Sequence, residues 1–240
     1  MKKISVIMPV YNEESTVRGA IMRTLNKEID GFCIELIVVE SNSTDGTRKA
    51  IESIDPRSNL TVIYEESPNG KGSAVRKGLN IASGEYVIIQ DADDEYDVND
   101  YDALIKHLDE NNKAFVLGAR IGKSSLRMRN LEGQPVREMY LNIGHWFFCF
   151  LIYVLYGAKL KDPATMYKVF RIDAIDIKSL RRNGFDFDWE LLIHLIKKGH
   201  VPDELPISYA SRNYNDGKKI KLFSDPIKWV LTIISMKFQS

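Results

Sequence analysis

Cysteine is scarce in this chain: only Cys33 and Cys149 occur in 240 residues, far apart and without C-x-x-C spacing. That excludes a disulfide framework or a cysteine zinc site, and makes a reducing cytosol the expected setting. Histidine is nearly as rare, and His145, His194 and His200 share no metal-like spacing. Each is expected to be a helix-surface or core residue. An excess of one charge is also missing, because 33 Lys and Arg face 33 Asp and Glu. General nucleic-acid binding needs a basic excess, so no nucleic-acid partner is expected. Long apolar runs are lacking too. The longest, Trp146 to Tyr156, has eleven residues, short of the roughly 18 that a spanning helix needs. A buried or interfacial helix is expected there, and nothing that crosses a membrane. The apolar stretch after Met1-Lys2-Lys3 soon ends at Asn12 and Glu13, so no secretory leader is expected.

What is present is strongly patterned. Overall neutrality conceals an acidic window, residues 91–102, with seven acids and no base. Two basic windows follow: Arg120, Lys123, Arg127 and Arg129, then Arg212, Lys218, Lys219 and Lys221. Such runs are commonly solvated faces, yet together they suit a site for a metal and an anionic ligand. Short apolar runs at Ile4 to Met8, Ile34 to Val39, Leu60 to Tyr64, Tyr86 to Gln90 and Ala114 to Ala119 alternate with segments of helical spacing. That alternation predicts a largely parallel α/β sheet covered on both faces. Beyond residue 120, helices are expected near Glu138 to Tyr156, Ala174 to Arg182 and Trp189 to Lys198, with a final amphipathic segment from Pro226 to Phe238.

In a doubly wound sheet, ligands bind beyond the carboxyl ends of the strands. Three groups of residues lie there. Asp91-Ala92-Asp93 follows a strand, and residues two apart at a strand end project to one side, so both carboxylates can meet one Mg²⁺ or Mn²⁺. Glu95 can supply a third oxygen. Taken alone, the pattern also fits a solvated acidic turn. Pro9-Val-Tyr-Asn-Glu13 and Val38-Val-Glu-Ser-Asn-Ser-Thr-Asp-Gly-Thr47 form the second group. Tyr11 can stack on a base, and Glu13 and Glu40 can accept from base or ribose donors. The third is Asn69-Gly-Lys-Gly-Ser-Ala74, where glycines allow close backbone approach and Lys71 offers a charge to phosphate.

In this order the motifs resemble the family 2 glycosyltransferases, within the branch of dolichol-phosphate mannose synthase and the polyprenyl-phosphate sugar transferases. Asp97-Val-Asn-Asp-Tyr101, Gly118-Ala-Arg120 and Tyr167-Lys-Val-Phe-Arg171 also read like that branch. The resemblance implies one GT-A domain over residues 1–240, with a Rossmann-like nucleotide-sugar half (1–120) and an acceptor half (121–240) carrying interfacial helices. It implies that Pro9, Tyr11, Glu13, Val38 and Glu40 hold the nucleoside, and that Asp91, Ala92 and Asp93 hold the diphosphate and its metal. Arg120, Arg212 and Lys218 would bind phosphate groups of the acceptor, and Asp188 takes the catalytic-base position. The implied reaction is inverting transfer from a nucleoside-diphosphate sugar to a polyprenyl or dolichyl phosphate at the cytoplasmic membrane face. A saccharide hydroxyl is the alternative acceptor, with Asp188 as its base, and a degraded transferase that only binds nucleotide is the non-enzyme alternative. Three features depart from the pattern. Glu40 stands for the usual base-binding Asp, Met166 for a glycine, and the arginine pair expected before the aromatic helix has Arg137 as its nearest candidate.

Overall fold

The apolar runs of the first 120 residues become the strands and packing helices of one sheet in the computed structural model, which describes residues 1–120, 135–211, 219 and 224–239. The strands are β1 (Lys2–Val10), β2 (Phe32–Glu40), β3 (Leu60–Tyr64), β4 (Tyr86–Ile89), β5 (Phe115–Ala119), β6 (Lys168–Arg171) and β7 (Asp203–Pro206). The helices are α1 (Val17–Leu25), α2 (Thr47–Glu52), α3 (Lys71–Ile81), α4 (Tyr101–Glu110), α5 (Pro135–Tyr156), α6 (Phe187–Lys197) and α7 (Ser224–Phe238). Residues Ile4 to Met8 of β1 are all buried, as expected where helices cover both faces. Helix α1 buries Val17, Ala20, Ile21, Thr24 and Leu25, a single stripe at helical spacing.

The sheet order is β3-β2-β1-β4-β6-β5-β7. Strands β1 to β4 pair parallel, whereas β6 runs antiparallel to both β4 and β5. The reversal has a simple origin. The chain leaves β5 at its carboxyl end, makes α5, and re-enters at Lys168 opposite Leu117. Because it re-enters from the carboxyl end of β5, the returning strand runs the other way. The excursion is thereby held over the carboxyl ends of the parallel strands.

Two expectations need correction. Residues 174–182 do not form an α-helix; a 3₁₀ turn at Ile172–Ala174 ends where they begin and another lies at Ile177–Ser179. The Asp176 side chain accepts from Lys178 N at 3.1 Å, while Glu190 of α6 accepts from the backbone N–H of Arg181 and Arg182 at 2.8 and 2.9 Å. These side-chain acceptors replace the carbonyls of a helical ladder. The other correction concerns length. Helix α5 extends well beyond its unbroken apolar run, and Glu138–Tyr156, 19 residues with mean hydropathy 1.4, is long and apolar enough to cross a membrane.

The end of β4 is locked by a buried polar knot. The hydroxyls of Tyr101 and Tyr167 each lie 2.7 Å from Gln90 Oε1, and Gln90 Nε2 donates to Asp91 O at 2.9 Å. Burial pushes both phenol pKa values upward, so they stay neutral donors. Replacing Gln90 by Leu would take this acceptor from Tyr101, whereas Tyr167 keeps Asp97 O at 2.9 Å. We expect a loss of about 1–3 kcal/mol, read as a lower urea midpoint with an unchanged slope.

Candidate functional site

The loops after β1 and β2 are fastened to each other by side chains of the two motifs. Thr44 N donates to Asn12 Oδ1 at 2.8 Å, Asn12 N to Ser43 Oγ at 3.0 Å, and Glu13 N to Thr47 Oγ1 at 2.8 Å. Asn12, Asn42 and Asp94, just past the ends of β1, β2 and β4, all have φ between 50° and 61°. Asn and Asp tolerate this left-handed region better than most residues. Three strand ends are thus turned sharply to leave room between them.

At the end of β4, Lys71 Nζ lies 2.8 Å from Asp91 Oδ1 and 3.8 Å from Asp188 Oδ2. Burial works against the Lys71 charge, but the carboxylates of Asp91, then Asp188, outweigh it and hold its pKa above the ordinary value. Asp93 Oδ1 accepts from Glu95 N at 3.2 Å, which orients it in a tight turn. Asp188 sits in the first turn of α6, and its Oδ1 is buried without a hydrogen-bond partner among the described residues. What draws Lys71 and Asp188 together is glycine. A Cβ on Gly70 would stand 2.5 Å from Asn183 O, and one on Gly72 only 2.4 Å from Arg182 O. Both glycines therefore serve contact between α3 and the segment before α6, a role the sequence had assigned to ligand approach.

These residues line a cavity of about 550 Å³. One half is polar, with Lys71, Asp91, Asp93 and Glu13. The other is aromatic, where Phe148 stacks on Trp189 at 4.8 Å and meets Trp229 at 5.7 Å. Pro9, Tyr11 and Ser41 continue the polar half across the ends of β1 and β2. A shallower depression at the opposite ends of these strands, near Lys2 and Phe32, gathers none of the motif residues.

Not every expected site residue reaches this cavity. Val38 is fully buried within β2, paired with Met8 and Val62, and belongs to the core. Glu40 is also fully buried, and its oxygens accept from Ser43 N at 2.6 Å and Arg48 Nε at 2.7 Å. Its longer side chain turns back into the protein and does not line the cavity. Arg120 lines the cavity, but Nε and Nη2 both donate to Asp162 at 2.8 Å. Its charge is matched within the protein rather than offered to phosphate. The Glu95 carboxylate accepts from the Tyr209 hydroxyl at 2.6 Å and supports the cavity wall. Arg212 and Lys218 lie outside the described residues, as do Lys123, Arg127, Arg129 and Lys221. Lys219 is described, and it pairs with Glu13. His145 is buried, as expected, with Nε2 2.6 Å from Lys161 O.

Residues 5–176 match Glycosyl transferase family 2. The chain belongs to that family. This glycosyltransferase moves a sugar from a nucleoside-diphosphate sugar to an acceptor. It is 30% identical to the dolichyl-phosphate beta-glucosyltransferase of Saccharomyces cerevisiae, over 98% of this chain and 75% of the relative. The dolichyl-phosphate beta-glucosyltransferase of Dictyostelium discoideum is 28% identical over 98% of this chain and 74% of its own length. In fold, the glycosyltransferase is similar to glucosyl-3-phosphoglycerate synthase from Mycobacterium tuberculosis, solved with Mn²⁺, UDP and glucosyl-3-phosphoglycerate. That match has a TM-score of 0.67 and 19% identity, covering 98% of this chain and 79% of the other.

The glycosyltransferase's own residues fit a divalent cation at the β4 end. Among the described residues no three metal-ligating side chains form a complete cage. Mg²⁺, however, is commonly held by one or two carboxylates together with substrate phosphates. Asp91 and Asp93 supply that number, beside the unpartnered Asp188 oxygen. Sequence reasoning missed Asp162, Ser41 and the aromatic wall. Asp162 precedes a proline with no local pattern to mark it, and only the fold brings it to Arg120 across 42 positions.

Asp162 is fully buried, and although burial opposes ionisation, Arg120 holds its carboxyl at about 2. A depressed folded pKa adds stability above the unfolded value of 3.8, and that stability disappears as pH falls towards 2. Asp162→Asn should cost about 3–5 kcal/mol at neutral pH, since it leaves a buried guanidinium uncompensated. It should also flatten the acid limb of a stability–pH curve measured by urea unfolding.

Proposed function

We propose that this glycosyltransferase inverts the anomeric centre and transfers glucose to a polyprenyl phosphate of the dolichyl type. Two supports carry the acceptor: the relatives' names, and above all the cavity's division into a charged half and an aromatic half. The aromatic half is walled by α5 and α7, through Tyr140, Phe148 and Trp229. On α5, Ile143, Phe147, Phe150 and Val154 are exposed, and on α7, Ile227, Leu231, Ile234 and Phe238. Each set recurs at helical spacing and forms one stripe. Phe148 and Ile152 bury the opposite side of α5 in the core. A helix that buries one side, at His145, Phe148, Cys149 and Ile152, and exposes the other suits lying in the interface. The two halves of the cavity then meet the two ends of a lipid phosphate.

In this reading Asp91 and Asp93 would hold Mg²⁺ or Mn²⁺ with the donor diphosphate, and the charge supplied there would offset the charge that grows on the departing group. Lys71 adds its ammonium on the same side, kept charged by Asp91 and Asp188. Tyr11 and Pro9 flank the nucleoside. Inversion requires the acceptor oxygen to face the anomeric carbon opposite the leaving group, so positioning is the main task. A phosphate acceptor is largely ionised at neutral pH and needs no base; Asp188 then orients Lys71. The enzyme would work as one domain, peripheral to the cytoplasmic membrane face, with residues 1–120 for the donor and 121–240 for the acceptor. Arg212 and Lys218 remain candidates for gripping the lipid phosphate.

Two measurements test this. Asp93→Asn should remove transfer from UDP-glucose to a polyprenyl phosphate while leaving the melting temperature nearly unchanged. Full activity of the parent enzyme in excess chelator would defeat the metal assignment. In liposome flotation the parent protein should rise with anionic vesicles. Phe150→Glu combined with Leu231→Glu should leave it at the bottom, because both positions are exposed and the changes spare the core. Equal glycosylation of a water-soluble hydroxyl by a protein that never floats would make Asp188 the base and discard the lipid acceptor.

A further inference from the structure

Met166 lines the cavity beside Lys71, and its Sδ accepts from the Lys71 ammonium. The same nitrogen lies 3.8 Å from Asp188 Oδ2 and 5.8 Å from the centre of the Phe185 ring. A thioether, a carboxylate and an aromatic ring thus crowd around one cation. The backbone that carries Met166 is fixed on every side. Its N–H donates to the Tyr96 hydroxyl at 3.0 Å, and its carbonyl accepts from Lys168 N at 2.7 Å. Thr165 Oγ1 donates to Gly118 O at 2.5 Å, and the fully buried Lys168 donates from Nζ to Thr165 O. Held in this way, the thioether stays against Lys71, only 8% exposed. The family pattern has glycine here, so the side chain is this chain's own addition.

What stands next to it is a base in waiting. Asp188 Oδ1 is buried without a hydrogen-bond partner among the described residues. A carboxylate oxygen with open lone pairs takes a proton from whatever hydroxyl reaches it. A phosphate acceptor brings no such proton, which leaves water as the hydroxyl that Asp188 would activate. A thioether is a weak acceptor and donates nothing, so it fills space without ordering solvent.

We propose that Met166 keeps water away from Asp188, so that the donor sugar passes to the acceptor and is not hydrolysed. The proposal rests on the reading above, in which Lys71, Asp91 and Asp93 take the diphosphate of a nucleotide sugar. The anomeric carbon is joined to that diphosphate, so a side chain touching Lys71 lies within a sugar's width of it. In the reaction suppressed, water oxygen bonds to the anomeric carbon and Asp188 takes the water's proton. The bond from that carbon to the phosphate oxygen breaks, and its electron pair leaves with the nucleoside diphosphate. Excluding water from a reacting centre prevents such losses.

The test follows UDP-glucose consumption with Mn²⁺, with and without a polyprenyl phosphate, and calorimetric binding of UDP-glucose. Binding shows that a variant is folded. The parent should transfer glucose and, without acceptor, hydrolyse UDP-glucose far more slowly than it transfers. Met166→Ala should hydrolyse about tenfold faster than the parent or more, since an aligned general base contributes roughly 10²–10⁴-fold. Met166→Gly, the residue of the family pattern, is a second opening variant and should show the same gain. Met166→Leu conserves volume and should gain no hydrolysis. Asp188→Asn added to Met166→Ala should remove the gain while UDP-glucose still binds. Unchanged hydrolysis in an opening variant that binds UDP-glucose, an equal gain in Met166→Leu, or a gain that survives Asp188→Asn overturns the inference while the donor site stands. A parent that hydrolyses as fast as it transfers overturns it too. A parent that binds no UDP-glucose overturns the donor reading, and the inference with it.

Discussion

Contact between the start of α3 and the segment before α6 is the constraint on which the site depends. Gly70 and Gly72 allow backbone to lie where any side chain would collide. Ser73 N donates to Asn183 O at 3.3 Å across the same seam. The contact joins a donor-side element to the element that carries Asp188. It sets Lys71 between Asp91 and Asp188, and so brings one cation and two carboxylates to the mouth of β4. Like charges this close need a counterion in a cavity of limited exposure. Lys71 supplies it from the protein's side, and a divalent ion with its diphosphate would supply the rest.

Around that centre the chain uses polar side chains to hold loops rather than to face ligand. The Ser43 to Thr47 motif fastens the β1 loop, Gln90 gathers two tyrosines, and Arg120 is matched by Asp162. Such fully partnered groups fix geometry, because a buried donor or acceptor that moves loses a bond it cannot replace. The ligand-facing set is correspondingly small. A rigid frame with a few open polar atoms is what transfer by positioning requires.

The antiparallel β6 has a functional consequence. It keeps α5 over the carboxyl ends of the parallel strands, where α6 and α7 complete an aromatic wall. The same helices present apolar stripes outward, so the cavity and the exposed surface share their scaffold. A lipid-linked acceptor has the same division, a charged head next to an apolar chain. Glucosyl-3-phosphoglycerate synthase shares the fold at a TM-score of 0.67; the fold alone leaves the acceptor open, and the proposed lipid acceptor rests on the surface of α5 and α7.

Much was written in the sequence because it rests on local rules. Alternating apolar runs specified the parallel strands β1 to β4, since strand and helix periods differ and each run spans one element. Paired carboxylates just past a strand end located the centre, although Asp91 and Asp93 lie in the bend after β4 and not in its pleat. Tertiary structure decided what depends on partners distant in the chain. Glu40 reads as a ligand residue until Arg48 and a backbone N–H claim both oxygens. Residues 174–182 have helical spacing, but carboxylates from Asp176 and Glu190 capture their amides. Local pattern determines which elements form and where their ends lie. Which polar atoms stay open to a ligand is settled only when folding has paired the others.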